Sequence, residues 1–128
     1  MRFLIPLVAL LATSCASSPP PAASAPSSSS SSVTSPAERV DGSTARKLVQ
    51  GGATLVDVRT PDEYAAKHIE GAVNVPVDQM STHDFGGKDK PLVLYCTAGH
   101  RSQAAGDALR SQGYTQVHVL GAMSAWGP

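Results

Sequence analysis

The residues best suited to chemistry are consecutive: Cys96-Thr97-Ala98-Gly99-His100-Arg101-Ser102. They follow the apolar run Pro91-Leu92-Val93-Leu94-Tyr95 and precede an Ala-rich stretch of helical character, so the cysteine stands where a strand hands over to a helix. A thiol at a helix N-terminus meets unpaired backbone N–H groups and the positive end of the helix dipole. Both favour thiolate and the approach of an anion. The N–H groups of Thr97, Ala98, Gly99, His100, Arg101 and Ser102 can turn inward as a nest for an anion or for a negatively charged sulfur. Arg101 adds a fixed cation and His100 a titratable one. Cys96 is therefore the candidate nucleophile and the six residues after it the candidate substrate-binding loop. By this physics alone the loop could serve phosphate, arsenate or sulfur.

The segments around the loop show how it is positioned. Short apolar runs at 38–40, 54–58, 72–76, 92–95 and 117–120 read as strands, and they alternate with amphipathic stretches. That is the pattern of β-α units around a small, mainly parallel sheet. Ser43 is expected to N-cap a first helix with Ala45, Leu48 and Val49 on one face and Gly51-Gly52 as its stop. Thr60-Pro61-Asp62-Glu63 is a helix start with Thr60 as N-cap and Glu63 completing a capping box, leading into a short helix at 64–67. Residues 77–90 carry only a short helix and a loop. A longer helix is expected at 101–112, with Ala104, Ala105, Ala108 and Leu109 inward and Gly113 as its stop. Ligands of such sheets collect beyond the carboxyl ends of the strands, where Cys96 lies. Asp57 and Arg59, at another strand end, read as a scaffold pair or as loop braces rather than as catalysts. His68, His83 and His118 lack metal-ligand spacing, so no metal site is expected.

The same residues resemble the rhodanese (thiosulfate sulfurtransferase) family, whose active loop has the form Cys-x-x-Gly-x-Arg-Ser, matched by Cys96, Gly99, Arg101 and Ser102. Asp57-Val58-Arg59, Glu63-Tyr64 and His68-Ile69-Glu70-Gly71-Ala72 resemble the family's upstream signature. Gly121-Ala122-Met123-Ser124-Ala125-Trp126 resembles its carboxyl-terminal Gly-Gly-x-x-x-Trp, with Ala122 in place of the second glycine. The resemblance implies an α/β fold with a five-stranded sheet and helices on both faces. It also implies a sulfurtransferase in which Cys96 takes sulfane sulfur from a small anionic donor, such as thiosulfate or a persulfide, holds it as a persulfide and passes it to a thiol or cyanide. No cofactor is implied. Thr97 stands where some thiosulfate-using members carry a basic residue. Two rivals remain: a non-enzymatic sulfur carrier or partner-binding module, and a cysteine phosphatase or arsenate reductase. The latter chemistries need the larger Cys-x5-Arg cradle, whereas four residues separate Cys96 from Arg101.

Composition divides the chain. Between Ala16 and Pro36 fall ten Ser and five Pro, while all 11 Gly lie from Gly42 onward. The folded unit is thus expected at 37–128, enough for one buried core. Arg2, the apolar stretch from Phe3 to Ala12 and Ala12-Thr13-Ser14-Cys15 resemble a bacterial lipoprotein signal, with 1–14 removed and Cys15 lipidated. Residues 15–36 form a Ser/Pro/Ala-rich tether, which as a flexible coil spans on the order of 25 Å. The expected location is the cell envelope, on the periplasmic face of the outer membrane, held by lipid alone. With 10 basic and 10 acidic residues, nothing suggests nucleic acid. A monomer is expected, and with Cys15 lipidated Cys96 is left as the only free thiol.

Overall fold

The computed structural model describes residues 35–128. The signal, most of the tether and Cys15 lie outside the described residues. Five parallel strands, β1 (Glu38–Arg39), β2 (Thr54–Asp57), β3 (Val73–Asn74), β4 (Leu92–Cys96) and β5 (Val117–Ala122), form one sheet in the order β1-β5-β4-β2-β3. Three helices accompany it: α1 (Gly42–Gln50), α2 (Pro61–Ala66) and α3 (His100–Ser111). Short 3-10 turns occupy Val77–Gln79 and Met123–Trp126.

β4 is central and buried at every residue, which explains its unbroken apolar sequence. Side chains alternate along it. Leu92, Leu94 and Cys96 join Val56, Val58, Val117 and Val119 against Ala105 and Leu109 of α3. Val93 and Tyr95 join Leu55 and Leu120 against Ala45 of α1, with Tyr64 and Trp126 packed on the outside. The sheet therefore has a core on each face, as a five-stranded α/β sheet with helices on both sides requires.

Two local expectations are corrected. The N-cap of α1 is Asp41, not Ser43: Asp41 accepts from the Thr44 N–H at 2.8 Å and from the Ser43 hydroxyl at 2.6 Å. A carboxylate at the positive end of a helix outcompetes a hydroxyl for that place. Those donors hold its carboxyl down to about 2, the Ser43 hydroxyl contributing most.

The inward face of α3 is Ser102, Ala105, Gly106 and Leu109, while Ala104 and Ala108 are exposed. Helix and sheet approach most closely at Gly106, where a Cβ would stand 2.7 Å from the Ala37 Cβ and 2.8 Å from the Val119 Cγ2. Overpacking of that kind costs about 1–3 kcal/mol, more than the ~1 kcal/mol by which alanine improves on glycine in a helix. Ranking side chains by hydrophobicity put the alanines inside; distance of approach selects the smaller residues.

The remaining punctuation follows the sequence. Thr60 and Glu63 complete the capping box of α2, with Pro61 at its first position. Gly51 caps α1, and Gly113, at φ +96°, follows the end of α3.

Candidate active site

Cys96 ends β4 with its side chain on the α3 face, 1 % exposed. The chain leaving β4 curls back over it, and the Gly99 N–H donates to Cys96 Sγ at 2.9 Å. The curl needs φ +100° at Gly99, a region that strains any residue with a Cβ. A Cβ there would also come within 2.9 Å of Arg39 Nη2 and 3.5 Å of the Gly121 Cα. Gly121 in turn sits at φ +88°, in a bulge where β5 slips register so that Leu94 pairs with Val119 but Tyr95 with Gly121. The two glycines face each other and let the loop close onto β5.

Burial pushes the Cys96 thiol up, but the N–H and hydroxyl of Ser102, followed by the N–H groups of Gly99 and Ala98, outweigh it and leave the thiol below its ordinary value. The single Ser102 hydroxyl proton has two carbonyl acceptors, Gly99 O at 3.0 Å and Gly121 O at 3.2 Å. When that proton turns to either carbonyl, the backbone N–H groups are the donors left to hold a thiolate. Ser102 itself, fully buried, ties the start of α3 to the end of β5.

Arg101 is committed elsewhere. Its Nη1 and Nη2 donate to Glu63 Oε2 and Oε1 at 2.7 and 2.9 Å, a two-pronged pair. The Thr97 hydroxyl also donates to Glu63, at 3.1 Å, and so do the Thr60 N–H and hydroxyl. The Arg101 guanidinium, ahead of the Thr60 N–H, holds the Glu63 carboxyl well below the usual carboxylate range, and Glu63 raises Arg101. The pair therefore stays ionised wherever the thiol can ionise, and its charges cancel. Glu63 thus clips the start of α2 to both ends of the loop. The capping pattern revealed Glu63 as a helix residue; its second role spans 38 positions and leaves no local signature.

Asp57 and Arg59 form the expected structural pair. Arg59 Nη2 lies 2.6 Å from Asp57 Oδ2, with 5 % and 0 % of the side chains exposed. Hydrogen bonding to Asp57 raises Arg59, whose Nη2 also donates to Lys67 O at 2.6 Å. The guanidinium lies over the ring of Tyr95, whose hydroxyl accepts from the Ile69 N–H at 3.1 Å. This buried cluster fastens the end of β2 to the segment after α2 and makes no hydrogen bond to the loop. The side chains of Thr97, Ala98 and His100 are exposed, with His100 opening α3.

A cleft of about 520 Å3 opens between Lys67–Glu70 and Met123–Trp126 but is lined by no residue of the loop. Chemistry rather than volume therefore picks out the Cys96 loop as the candidate site.

Comparison with known proteins gives the family. A family signature described as Rhodanese-like domain matches residues 41–127. The chain belongs to the rhodanese-like family. It is similar to the thiosulfate sulfurtransferase GlpE of Ectopseudomonas mendocina, 35 % identical over 96 residues that cover 72 % of this chain and 86 % of that one. Among solved structures, a human single-domain sulfurtransferase superposes with a TM-score of 0.61 at 29 % identity, over 72 % of this chain and 95 % of that one. A rhodanese with anions from E. coli superposes with a TM-score of 0.56 at 30 % identity, over 58 % and 91 %.

A lowered thiol value has a direct consequence, because only the thiolate is alkylated. The rate of iodoacetamide labelling of the Cys96 peptide, followed by mass spectrometry against pH, should rise to its plateau with a midpoint below that of a free cysteine. A midpoint at or above it would show that burial, not the N–H donors, prevails.

Proposed function

We propose that this rhodanese is a sulfurtransferase working through a persulfide on Cys96. The observation that carries the reading is the Gly99 N–H on the sulfur of a buried thiol at a helix start, an arrangement that stabilises negative charge on that sulfur and on one more sulfur attached to it. With thiosulfate as donor, the Cys96 thiolate attacks the sulfane sulfur. A new S–S bond forms, the donor's S–S bond breaks, and sulfite leaves with the electron pair. The negative charge ends on the outer persulfide sulfur, under the loop amides. Cyanide or a thiol then takes that sulfur and returns Cys96 as thiolate. The likeness to relatives named thiosulfate sulfurtransferase supports the same reading, and the scheme uses no cofactor.

The phosphatase or arsenate reductase alternative fits less well. A tetrahedral oxyanion needs the cradle arginine to grip it, and here Arg101 is bound by Glu63 in a cradle one residue shorter. The carrier alternative shares the persulfide and differs only in turnover. The protein incubated with thiosulfate and cyanide should release thiocyanate over many turnovers, with Cys96→Ser inactive. The Cys96 peptide treated with donor alone should gain the mass of one sulfur atom. Single-turnover loading without thiocyanate turnover would make it a carrier, and full activity in Cys96→Ser would sink the mechanism.

Glu63→Gln separates the two roles of that residue, since glutamine still serves a capping box while the charge opposite Arg101 is lost. The expected result is near-wild-type thermal stability with sulfur transfer lowered on the order of tenfold or more, the usual consequence of a misplaced reacting group. Unchanged transfer would show that the clip does not position the loop.

For the chain before the domain, the reading is a lipid anchor on Cys15 that holds the rhodanese domain at the cell envelope, on the periplasmic face of the outer membrane, by the tether of residues 15–36. Fractionation of the full-length protein beside Cys15→Ser tests this: the variant should leave the membrane fraction or remain unprocessed, and equal membrane retention would refute the anchor.

A further inference from the structure

We propose that Arg39, on the edge strand β1, is the residue that recognises the anionic end of the sulfur donor at the Cys96 loop; this rests on the persulfide reading above. Arg39 pairs in register with Val119 of β5, so in a parallel ladder its side chain leaves on the α3 face as Val119 does. Between Arg39 and the loop lies β5, and there the chain has Gly121. With no side chain at Gly121 or Gly99, the guanidinium reaches across β5 to the loop: a Cβ on Gly121 would stand 3.3 Å from Arg39 Nη2, and one on Gly99 would stand 2.9 Å from it. Gly99 is the residue whose N–H holds the sulfur, so the cation is seated on the backbone of the loop itself.

Charge balance gives this placement its meaning. A thiolate meeting thiosulfate brings three negative charges together, and the persulfide and sulfite that follow carry the same three. Arg101 cannot offset them, because Glu63 neutralises it. Thr97, next to the nucleophile, carries no charge. Among the described residues, Arg39 is paired with no carboxylate: the arginine ion pairs are Arg59 with Asp57 and Arg101 with Glu63, and Glu38 lies beside His118 at 3.5 Å. Its guanidinium presents a donor fork that suits a sulfonate-like or carboxylate-like group. Arg39 thereby supplies from a neighbouring strand the positive charge that the loop lacks, and the donor class it favours is a small anion.

The test compares two alkylating reagents that differ in charge and carry out the same displacement at Cys96, iodoacetate (anionic) and iodoacetamide (neutral), in wild type, Arg39→Gln and Arg39→Lys, together with thiosulfate-dependent loading of Cys96. Arg39→Gln should lower the iodoacetate rate several-fold at low salt while leaving the iodoacetamide rate within about twofold, with the difference shrinking as salt is raised. It should lower kcat/KM for thiosulfate by roughly tenfold, the usual weight of a charge-assisted contact. Arg39→Lys should recover most of the iodoacetate rate. Equal loss with both reagents would overturn the proposal by showing that Arg39 only shapes the loop, and unchanged rates with both would overturn it by removing Arg39 from the site. Because alkylation needs no persulfide, a normal charge preference with no sulfur loading would instead count against the sulfurtransferase reading and leave the role of Arg39 as an anion receptor standing.

Discussion

A thiol 1 % exposed to solvent can be held as an anion only if donors fold around it, and that requirement organises the structure. Water is excluded from the Cys96 sulfur, so its negative charge has to be met by backbone N–H groups, among them that of Gly99 at 2.9 Å. Backbone amides converge on one atom only where the chain turns sharply at a helix start. Hence the left-handed Gly99, and hence the second glycine across from it: Gly121 must give up its side chain for the turn to close against β5. The bulge in β5 is the sheet's accommodation of the loop. Ser102 locks the arrangement by bonding the carbonyls of both glycines.

The loop is held from outside by charges that do not enter its chemistry. Glu63 gathers Arg101, Thr97 and Thr60 on one carboxylate, so the order of α2 and the order of the loop are one property. The pair is partly solvated, with 37 % and 35 % of the two side chains exposed, and ion pairs of that exposure contribute little to global stability. Its value is geometric: two prongs and a shared hydroxyl fix the direction of the guanidinium. Asp57 and Arg59 do the corresponding work under the sheet end, but dry. A buried pair of that kind is costly to assemble and severe to break, which suits a brace that is never asked to move.

What could be read from the sequence was what is encoded locally. The capping box at Thr60 and Glu63, the glycine stops of α1 and α3, the apolar run of β4 and the strand-to-helix position of Cys96 all depend on neighbours within a few residues, and each is found where its pattern places it. A small, mainly parallel five-stranded sheet and the rhodanese fold followed from motifs spread along the chain, whereas the order of the strands did not. The N-cap of α1 was misread by two residues, because a serine and an aspartate so close together both satisfy the rule, and the helix starts at the one whose carboxylate accepts from the Thr44 N–H. The inner face of α3 was misread because packing there is set by the approach of Ala37 and Val119, one of them 69 positions before Gly106, which no periodicity records. For the same reason neither Glu63 nor Arg39 stood out as part of the site: each is brought to the loop by the order of strands, and neither carries a local mark of it.

The short spacing from Cys96 to Arg101 gains a physical meaning from these contacts. Four residues separate the two, and both prongs of the guanidinium are taken up by the Glu63 carboxylate of α2. A cradle whose arginine is bound by a carboxylate is poorly suited to the spread charge of a tetrahedral phosphate, which needs donors on several oxygens at once. It can stabilise a charge that resides on one atom a bond's length from Cys96, because converging amides are enough for that. The geometry that weakens the loop as a phosphate site is thus compatible with the proposed single added sulfur, and under that proposal recognition of an anionic donor falls to Arg39, outside the loop.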